Sequence, residues 1–233
     1  MASCYLINNG GNWTDTTKWA ASDISALANI NDGATPTASD DVFLTGNSGQ
    51  CTISAASVGK TLTCTGYTNT LTHGAFNLSI SGAITFVSGM TYTPTNSASC
   101  IITIQTASNT FTTGGKLMPS ITLNSAITVT LGDNLSFMDS KLVVMQLTGN
   151  QLDTNGKTVS GFSATSRPII RSSAIGTART ITNATGVFNG VDFRDITSSV
   201  AVDYSAAALF VGDCGGNTDI TFTTAATQTA TGN

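Results

Sequence analysis

Short runs in which apolar residues alternate with threonine or serine fill the chain from residue 51 onward. Residues 61–65 and 127–131 show the pattern clearly, with leucine, isoleucine, valine or cysteine at every second position. A period of two is typical of a β-strand with one buried face. Similar runs occupy residues 78–80, 84–87, 101–104, 121–123, 142–144 and 191–193. The pattern predicts an all-β protein.

The spacing of these runs favours one of two all-β architectures. Strong apolar alternation recurs about every 20 residues, at Ile84, Ile104, Leu123 and Val143, and one coil of a solenoid needs roughly that length to return above its start. An antiparallel sandwich or barrel is the alternative. Its short hairpin turns, of the Asn-Gly or Asp-Gly type between alternating strands, are not found here. We therefore expect a right-handed parallel β-helix whose coils and closing segment occupy residues 51–233.

Residues 1–50 differ from the rest and are expected to form an N-terminal cap that leads into the first strand. Both tryptophans of the chain, Trp13 and Trp19, lie in this segment. A first coil cannot bury its inward face without a cover, and these large side chains suit that role. Residues 23–30 have apolar positions three apart and predict either a short helix or an ordered loop.

The end of this cap is marked by a turn signal. Pro36 precedes Asp40 and Asp41, and the apolar run 42–44 follows at once. Proline and aspartate in this order favour a turn that delivers the chain into a strand. Pro36, Asp40 and Asp41 are therefore predicted to belong to the cap.

Composition and charge exclude several functions. Charged residues make up 9% of the chain, all 13 acidic residues are aspartate, and threonine occurs about 40 times. The nine lysines and arginines are scattered singly and the net charge is −4, so no basic patch for nucleic acid is expected. No run of about 18 apolar residues could span a membrane as a helix. The first ten residues lack the basic and apolar regions of a secretory signal.

Cysteine and histidine give little sign of metal or redox chemistry. The five cysteines are widely spaced and include no Cys-x-x-Cys pair; they are Cys4, Cys51, Cys64, Cys100 and Cys214. Small buried residues are the favoured interpretation, with disulfides or metal binding as the alternative. His73 is the only histidine, which disfavours zinc. No metal and no cofactor is predicted.

Catalytic residues are not predicted either. Polygalacturonase-type β-helices carry Asn-x-Asp, Asp-Asp, His-Gly and Arg-x-Lys in that order. Here Asp40-Asp41, His73-Gly74 and residues 217–219 (Asn-Thr-Asp) occur in a different order, and Arg-x-Lys is missing. His73, beside a glycine, is interpreted as part of a surface turn, not as a catalytic base.

A second carboxylate pair, Asp192 and Asp195, is close in sequence. Residues three apart on a strand point to opposite faces unless a turn intervenes, so the two carboxylates are expected to diverge. Arg194, between them, is interpreted as a member of an exposed ion pair.

Aromatic residues near turns are the remaining candidates for binding. Tyr67, Tyr92 and Phe162 could stack on sugar rings while neighbouring threonine and asparagine supply hydrogen bonds. Burial in the core or the cap is the alternative for these side chains.

Two stretches carry a resemblance to a known group of proteins. Residues 10–19 (GGNWTDTTKW), followed by residues 36–43 (PTASDDVF), resemble the start of β-helical modules in tailed-phage virion proteins and related bacterial surface adhesins. Residues 214–223 (CGGNTDITFT) resemble the end of the same modules. The resemblance implies a non-enzymatic role on a virion, as a tail fibre, tailspike or capsid-surface fibre, in a protein made in the host cytoplasm.

Partners follow from the same analogy. A homotrimer, contacts with other virion proteins and contact with a host surface polysaccharide are expected, without nucleic acid or membrane. A polysaccharide-degrading β-helix enzyme (lyase or glycoside hydrolase) and a bacterial surface adhesin are the alternative functions.

Overall fold

The chain folds into a column of stacked coils of β-strand. The structure is a computed structural model. It describes residues 2–23, 34–105, 108–124, 127–140, 143–149, 151–163, 166–182, 184, 188–206 and 209–222. Within these ranges the regular structure is β-strand, without an α-helix. The predicted helix or loop at 23–30 lies outside the described residues, apart from Asp23.

An opening segment is followed by eight coils, each with up to three strands. The opening segment contains β1 (Ser3–Leu6), β2 (Gly11–Asn12) and β3 (Trp19–Ala20). The first four coils contain β4 (Asp41–Phe43), β5 (Cys51–Ile53), β6 (Ser57–Gly59); β7 (Thr61–Thr63), β8 (Thr70–His73), β9 (Asn77–Ile80); β10 (Ile84–Thr85), β11 (Thr91–Pro94), β12 (Ile101–Ile104); β13 (Asn109–Thr112), β14 (Leu117–Met118), β15 (Ser120–Leu123).

The remaining coils have the same plan. They contain β16 (Thr128–Leu131), β17 (Leu135–Phe137), β18 (Val144–Leu147); β19 (Gln151–Asp153), β20 (Val159–Ser160), β21 (Ile169–Ser172); β22 (Arg179–Thr182), β23 (Phe188–Asn189), β24 (Asp192–Arg194); β25 (Ile196–Tyr204) and β26 (Gly212–Asp213). A final strand, β27 (Thr218–Phe222), follows the eighth coil. Successive coils begin at residues 41, 61, 84, 109, 128, 151, 179 and 196.

Each strand pairs with the strand one coil away, which produces three faces. Face A, an eleven-stranded sheet, is built from the first strands of the coils with β1, β3 and β27. Face B consists of two four-stranded sheets, β2-β5-β8-β11 and β14-β17-β20-β23, and face C is an eight-stranded sheet from β6 to β26. The named strands of successive coils pair in parallel. The predicted parallel β-helix is confirmed, and the antiparallel sandwich is excluded.

The core lies inside the three faces and is built by stacking like positions. On face C one inward row runs through Leu78, Ile102, Ile121, Met145 and Ile170, each paired with the next and each at most 1% exposed. Because a single coil leaves half of every such side chain uncovered, burial is completed by its neighbours. Each coil is therefore stabilised by the coils on either side of it.

The opening segment continues face A beyond the first coil. β1 pairs in parallel with β4, and β3 pairs antiparallel with β1, so β3 is the last strand on that edge of the sheet. Trp13 and Trp19 are 1% and 0% exposed and their rings meet edge to face at 5.5 Å. The Trp19 indole N–H donates to the Trp13 carbonyl oxygen (2.9 Å), and the Trp13 indole N–H donates to the Val58 carbonyl oxygen (3.0 Å). Both rings therefore join the core at the N-terminal coils.

The structure requires a glycine at position 10, and this requirement can be tested. Its φ is +58°, and a Cβ there would collide with the backbone carbonyl oxygen of Gln50 in the next coil. We expect Gly10→Ala to lower the free energy of unfolding by about 2 kcal/mol, from strain in φ plus the clash. Gly156→Ala is the matched control, because Gly156 has φ +71° with open space around it; its expected cost is about 1 kcal/mol. Equal losses in urea denaturation would contradict the role of the close approach.

Candidate functional site

The outer surface of face A carries rows of threonine. Thr63, Thr85 and Thr112 are neighbours in one row, on three successive strands. Thr180, Thr197 and Thr218 form another row toward the C-terminal end, and Thr197 and Thr218 share a hydrogen bond of 2.9 Å between their hydroxyls. Adjacent strands are about 4.8 Å apart, so the face presents hydroxyls at a regular interval. Thr is β-branched, which suits a strand, and it is soluble without charge.

For two of the three residues predicted to contact sugar, the prediction is wrong. Tyr67 is 0% exposed and Tyr92 is 9% exposed. The Tyr67 hydroxyl donates a hydrogen bond within the core region, with the carbonyl oxygens of Gly49 (2.9 Å) and Thr70 (2.8 Å) within reach. Tyr92 packs against Phe86, with the ring centroids 5.0 Å apart. Neither ring has a free face, so neither can stack on a sugar.

Phe162 is exposed as predicted. Its side chain is 52% accessible, and it lies between β20 and β21, where the chain passes from face B to face C. A ring in this position can contact a partner, and its role in sugar binding stays a prediction.

His73 is buried, and the predicted surface turn at this position is wrong. It is 0% exposed, at the end of β8, and not in a surface turn. The Phe76 carbonyl oxygen lies 2.9 Å from Nε2 and can only accept, so Nε2 carries the proton. Nδ1 of the neutral ring then accepts from the Tyr92 hydroxyl at 2.7 Å. Burial lowers the pKa of His73 to about 4, so the ring is neutral at neutral pH and both nitrogens are engaged.

The residues that match the polygalacturonase-type motif are far apart. Asp40 and Asp41 lie at β4, whereas residues 217–219 lead into β27. Seven strands separate β4 from β27 in face A, which corresponds to about 38 Å at 4.8 Å per strand step. These carboxylates cannot act on one glycosidic bond, since such pairs lie within about 10 Å.

Asp40 and Asp41 form local contacts at the N-terminal turn. The Asp40 carboxylate accepts from the Thr37 hydroxyl (2.5 Å), the Thr37 amide (3.1 Å) and the Ala2 amide (2.9 Å). The Thr37 hydroxyl, followed by these amides, lowers the pKa of Asp40. Asp41 accepts from the Thr61 hydroxyl (2.7 Å) and pairs with Lys60 (3.2 Å). The buried Pro36 precedes this turn.

All four arginines of the chain lie in the last coils, between residues 167 and 194. Arg171 and Arg194 are in register on neighbouring strands of face C. Arg167 contacts the Asp192 carboxylate at 3.1 Å. Burial raises the pKa of Asp192, and Arg167 opposes this rise. Along the sequence these positive charges are scattered, and only the register of the coils brings Arg171 and Arg194 together on face C.

Asp195 stands at a bend between face C and face A. Its φ is +55°, its amide donates to the Gly215 carbonyl oxygen (3.0 Å), and its own carbonyl accepts from the Arg179 amide (3.0 Å). Its carboxylate lies 3.7 Å from Arg194 Nε. With side chains 25% and 7% exposed, the Arg194–Asp195 contact is mostly buried, and the predicted exposed ion pair is wrong. This bend follows directly on β24, the strand that carries Asp192.

Four cysteines are buried and the fifth is exposed. Cys4, Cys51, Cys64 and Cys100 are in the interior, Cys214 is at the surface, and all five are free thiols. The interpretation as small buried residues is confirmed for the first four. In the described part of the chain, no three potential ligands from histidine, cysteine and acidic residues gather as a metal site would require. No described helix is long and apolar enough to cross a membrane.

Comparison of the chain with models of protein families, with curated proteins and with solved structures finds no match. The threonine rows, the arginines of face C and the motifs at the two ends of the column are the features that bear on function.

Proposed function

We propose that the chain is a non-enzymatic structural and adhesive component of a bacteriophage particle, in a tail fibre, a tailspike or a fibre on the capsid surface. The observation that carries this proposal is the pairing of a continuous inner core with an outer surface of hydroxyls. Such a surface is soluble with few charges and offers hydrogen bonds to hydroxyl-rich partners. The resemblance of the two end motifs supports the placement on a virion.

The proposed partners are further copies of the chain, other virion proteins and a polysaccharide of the host surface. A homotrimer is expected, by analogy with fibrous virion proteins. Light scattering coupled to gel filtration should give three times the chain mass of 23.8 kDa. A monomer at every concentration would contradict the trimer without bearing on the place of the protein in the particle.

The placement is tested by locating the protein. Antibodies raised against the purified chain should label purified phage particles by immunogold electron microscopy, at one defined position on the tail or capsid. Label on bacterial cell surfaces, with none on particles, would overturn the proposal in favour of an adhesin.

The non-enzymatic role is tested separately. Purified protein incubated with capsular and pectic polysaccharides is expected to release no reducing ends above a heat-treated control. Turnover that disappears in Asp192→Asn or Asp195→Asn would overturn this part of the proposal and establish the polysaccharide-degrading alternative.

A further inference from the structure

A groove of about 240 Å³ crosses the outer surface of face C, over β12, β15, β18 and β21. Two rows of side chains line it. Thr122, Gln146 and Arg171 follow one another in register on three successive strands. Beside them lie Ile101, Ser120 and Val144, where the Ser120 hydroxyl accepts from the Val144 amide at 3.1 Å. The groove therefore has an apolar part, a row of polar groups and a guanidinium at one end.

The guanidinium of Arg171 lacks a counter-ion in the described part of the chain. The ion pairs found there involve Lys60, Arg167 and Arg194. Arg171 Nη2 donates to Gln146 Oε1 at 3.1 Å, and its buried Nε has no hydrogen-bond partner among the described residues. A half-buried charge without a partner is unfavourable, so this end of the groove is suited to an anion.

Arg194 increases the positive charge at this place. It is in register with Arg171 on the next strand, and strands of one sheet are about 4.8 Å apart. Arg194 has Asp195 beside it, whereas Arg171 has the neutral Gln146. The pair of guanidinium groups therefore leaves local positive charge on a chain whose net charge is −4. An anion bound at Arg171 would relieve the repulsion between the two.

We propose that this groove binds a carboxylate-bearing sugar unit, of the hexuronic acid type, within a polysaccharide. Arginine presents parallel N–H groups that match a carboxylate. Ile101 and Val144 offer an apolar surface to the C–H face of a sugar ring, and Thr122 and Gln146 offer hydrogen bonds to its hydroxyls. The volume is below the roughly 300–1,000 Å³ of sites for drug-sized ligands, which fits one ring of a longer chain. The assignment deepens, and rests on, the proposed contact with host polysaccharide.

Titration calorimetry with oligogalacturonate tests the proposal. The same oligosaccharide with its carboxylates reduced to alcohols should bind about 10-fold more weakly or worse, because its charge-assisted hydrogen bonds to Arg171 are lost. Inorganic phosphate should bind at least as weakly, because it has no sugar ring to contact Ile101 and Val144. Arg171→Gln should weaken oligogalacturonate binding by a similar factor. Arg171→Lys should lie between, since it retains charge but loses the planar fork.

Two further variants make the result specific to the groove. Lys157→Gln removes one positive charge from the turn between β19 and β20, away from face C, and should leave the affinity within about twofold. Thr122→Tyr fills the groove and leaves both arginines intact, so it should weaken binding as much as Arg171→Gln. Thermal unfolding of each variant without sugar shows whether it is folded; if Arg171→Gln is not, Thr122→Tyr decides.

Three results would overturn the proposal: no oligogalacturonate binding at millimolar concentration, equal affinity for phosphate, or equal affinity of the folded Arg171→Gln or Thr122→Tyr variant. Immunogold labelling of particles keeps this outcome separate from the proposed function. Labelled particles without sugar binding would remove the groove assignment alone. Sugar binding without labelled particles would remove the virion placement alone.

Discussion

Trp19→Ala should lower the free energy of unfolding by about 3–5 kcal/mol, the range for truncating a fully buried large aromatic residue. Trp19 is 0% exposed, packs edge to face on Trp13 and lies on the edge strand of face A. Alanine there leaves a cavity, removes the hydrogen bond to the Trp13 carbonyl oxygen and uncovers the first coils. In a column whose coils depend on neighbours, this loss begins at the end and spreads inward.

Urea denaturation followed by circular dichroism and tryptophan fluorescence measures the effect. The two tryptophans are adjacent, so fluorescence of Trp19→Ala reports Trp13 and hence the N-terminal coils. Phe162→Ala is the control, because it also removes an aromatic ring, one that is 52% exposed, and should change stability by less than about 0.5 kcal/mol. Similar losses in the two variants would contradict a covering role for Trp19.

The fold class could be predicted from the sequence because the same alternating strand pattern repeats along the chain. In most coils, inward apolar positions of the strands alternate with outward positions that are mainly threonine or serine. The length of a coil is less regular, since the coil starts at residues 109, 128, 151 and 179 are 19 to 28 residues apart. Turns of variable length cost little at the corners of a solenoid, and this variation limits what spacing alone can predict.

The alternating pattern of β8 indicates an inward position for His73, but the glycine that follows favoured a surface turn. Leu71 and His73 are two residues apart on β8, so they share the inward face. Gly74 suggested a surface turn instead. Tyr92, between Thr91 and Thr93, likewise stands at the apolar position of an alternating run. For these two residues, the strand period was a better guide than the chemistry of the side chain.

Neither the burial of Tyr67 nor the groove on face C can be predicted from nearby residues in the sequence. Tyr67 follows Gly66 between strands, and its buried hydroxyl lies within hydrogen-bond distance of the carbonyl oxygens of Gly49 and Thr70. Gln146 and Arg171 meet because one coil takes 25 residues at that point. A shift of a single residue would place Arg171 on the opposite face. Sites of this kind depend on register, which sequence alone leaves open.

The motifs behind the virion resemblance have physical explanations. Gly10 allows the opening turn to approach Gln50 closely, and a Cβ at Gly11 would collide with the Lys18 side chain. The Gly11 amide donates to the Gln50 carbonyl oxygen at 2.8 Å. Near the other end, the Asn217 amide group accepts from the Ile196 amide (2.9 Å) and donates to the Phe193 carbonyl oxygen (2.9 Å). Both motifs therefore fasten the end coils of the column.

Stability should fall as the pH is lowered from about 6.5 to about 4, by up to about 3 kcal/mol from His73 alone. The pKa of the buried ring is about 4, whereas an unfolded chain has a histidine pKa near 6.5. The unfolded state therefore takes up the proton first. The contribution is complete above pH 6.5, decreases through the interval, and stops decreasing below pH 4, where the folded ring is protonated as well.

The contributions of other titratable groups to the pH dependence of stability can be separated from that of His73. Tyr92 and Cys100, which contact His73, have raised pKa values and stay neutral in this interval. Hydrogen bonds lower the pKa values of Asp15, Asp40 and Asp203, so the stability they contribute is lost below the ordinary value of 3.8. The raised pKa of Asp192 acts in the opposite direction, which makes a reference variant necessary.

The double variant His73→Leu/Tyr92→Phe provides that reference, because it removes the ring and the hydroxyl that would otherwise be left buried without a partner. The difference in unfolding free energy between the wild-type chain and this variant should vary with pH between 6.5 and 4 and be flat from pH 7 to 8. Since the chain has one histidine, its proton NMR titration is unambiguous and should give a midpoint near 4. A midpoint near 6.5 would mean that water reaches the ring and that the inward position of His73, and with it the stacking of β8 and β11 around it, is incorrect.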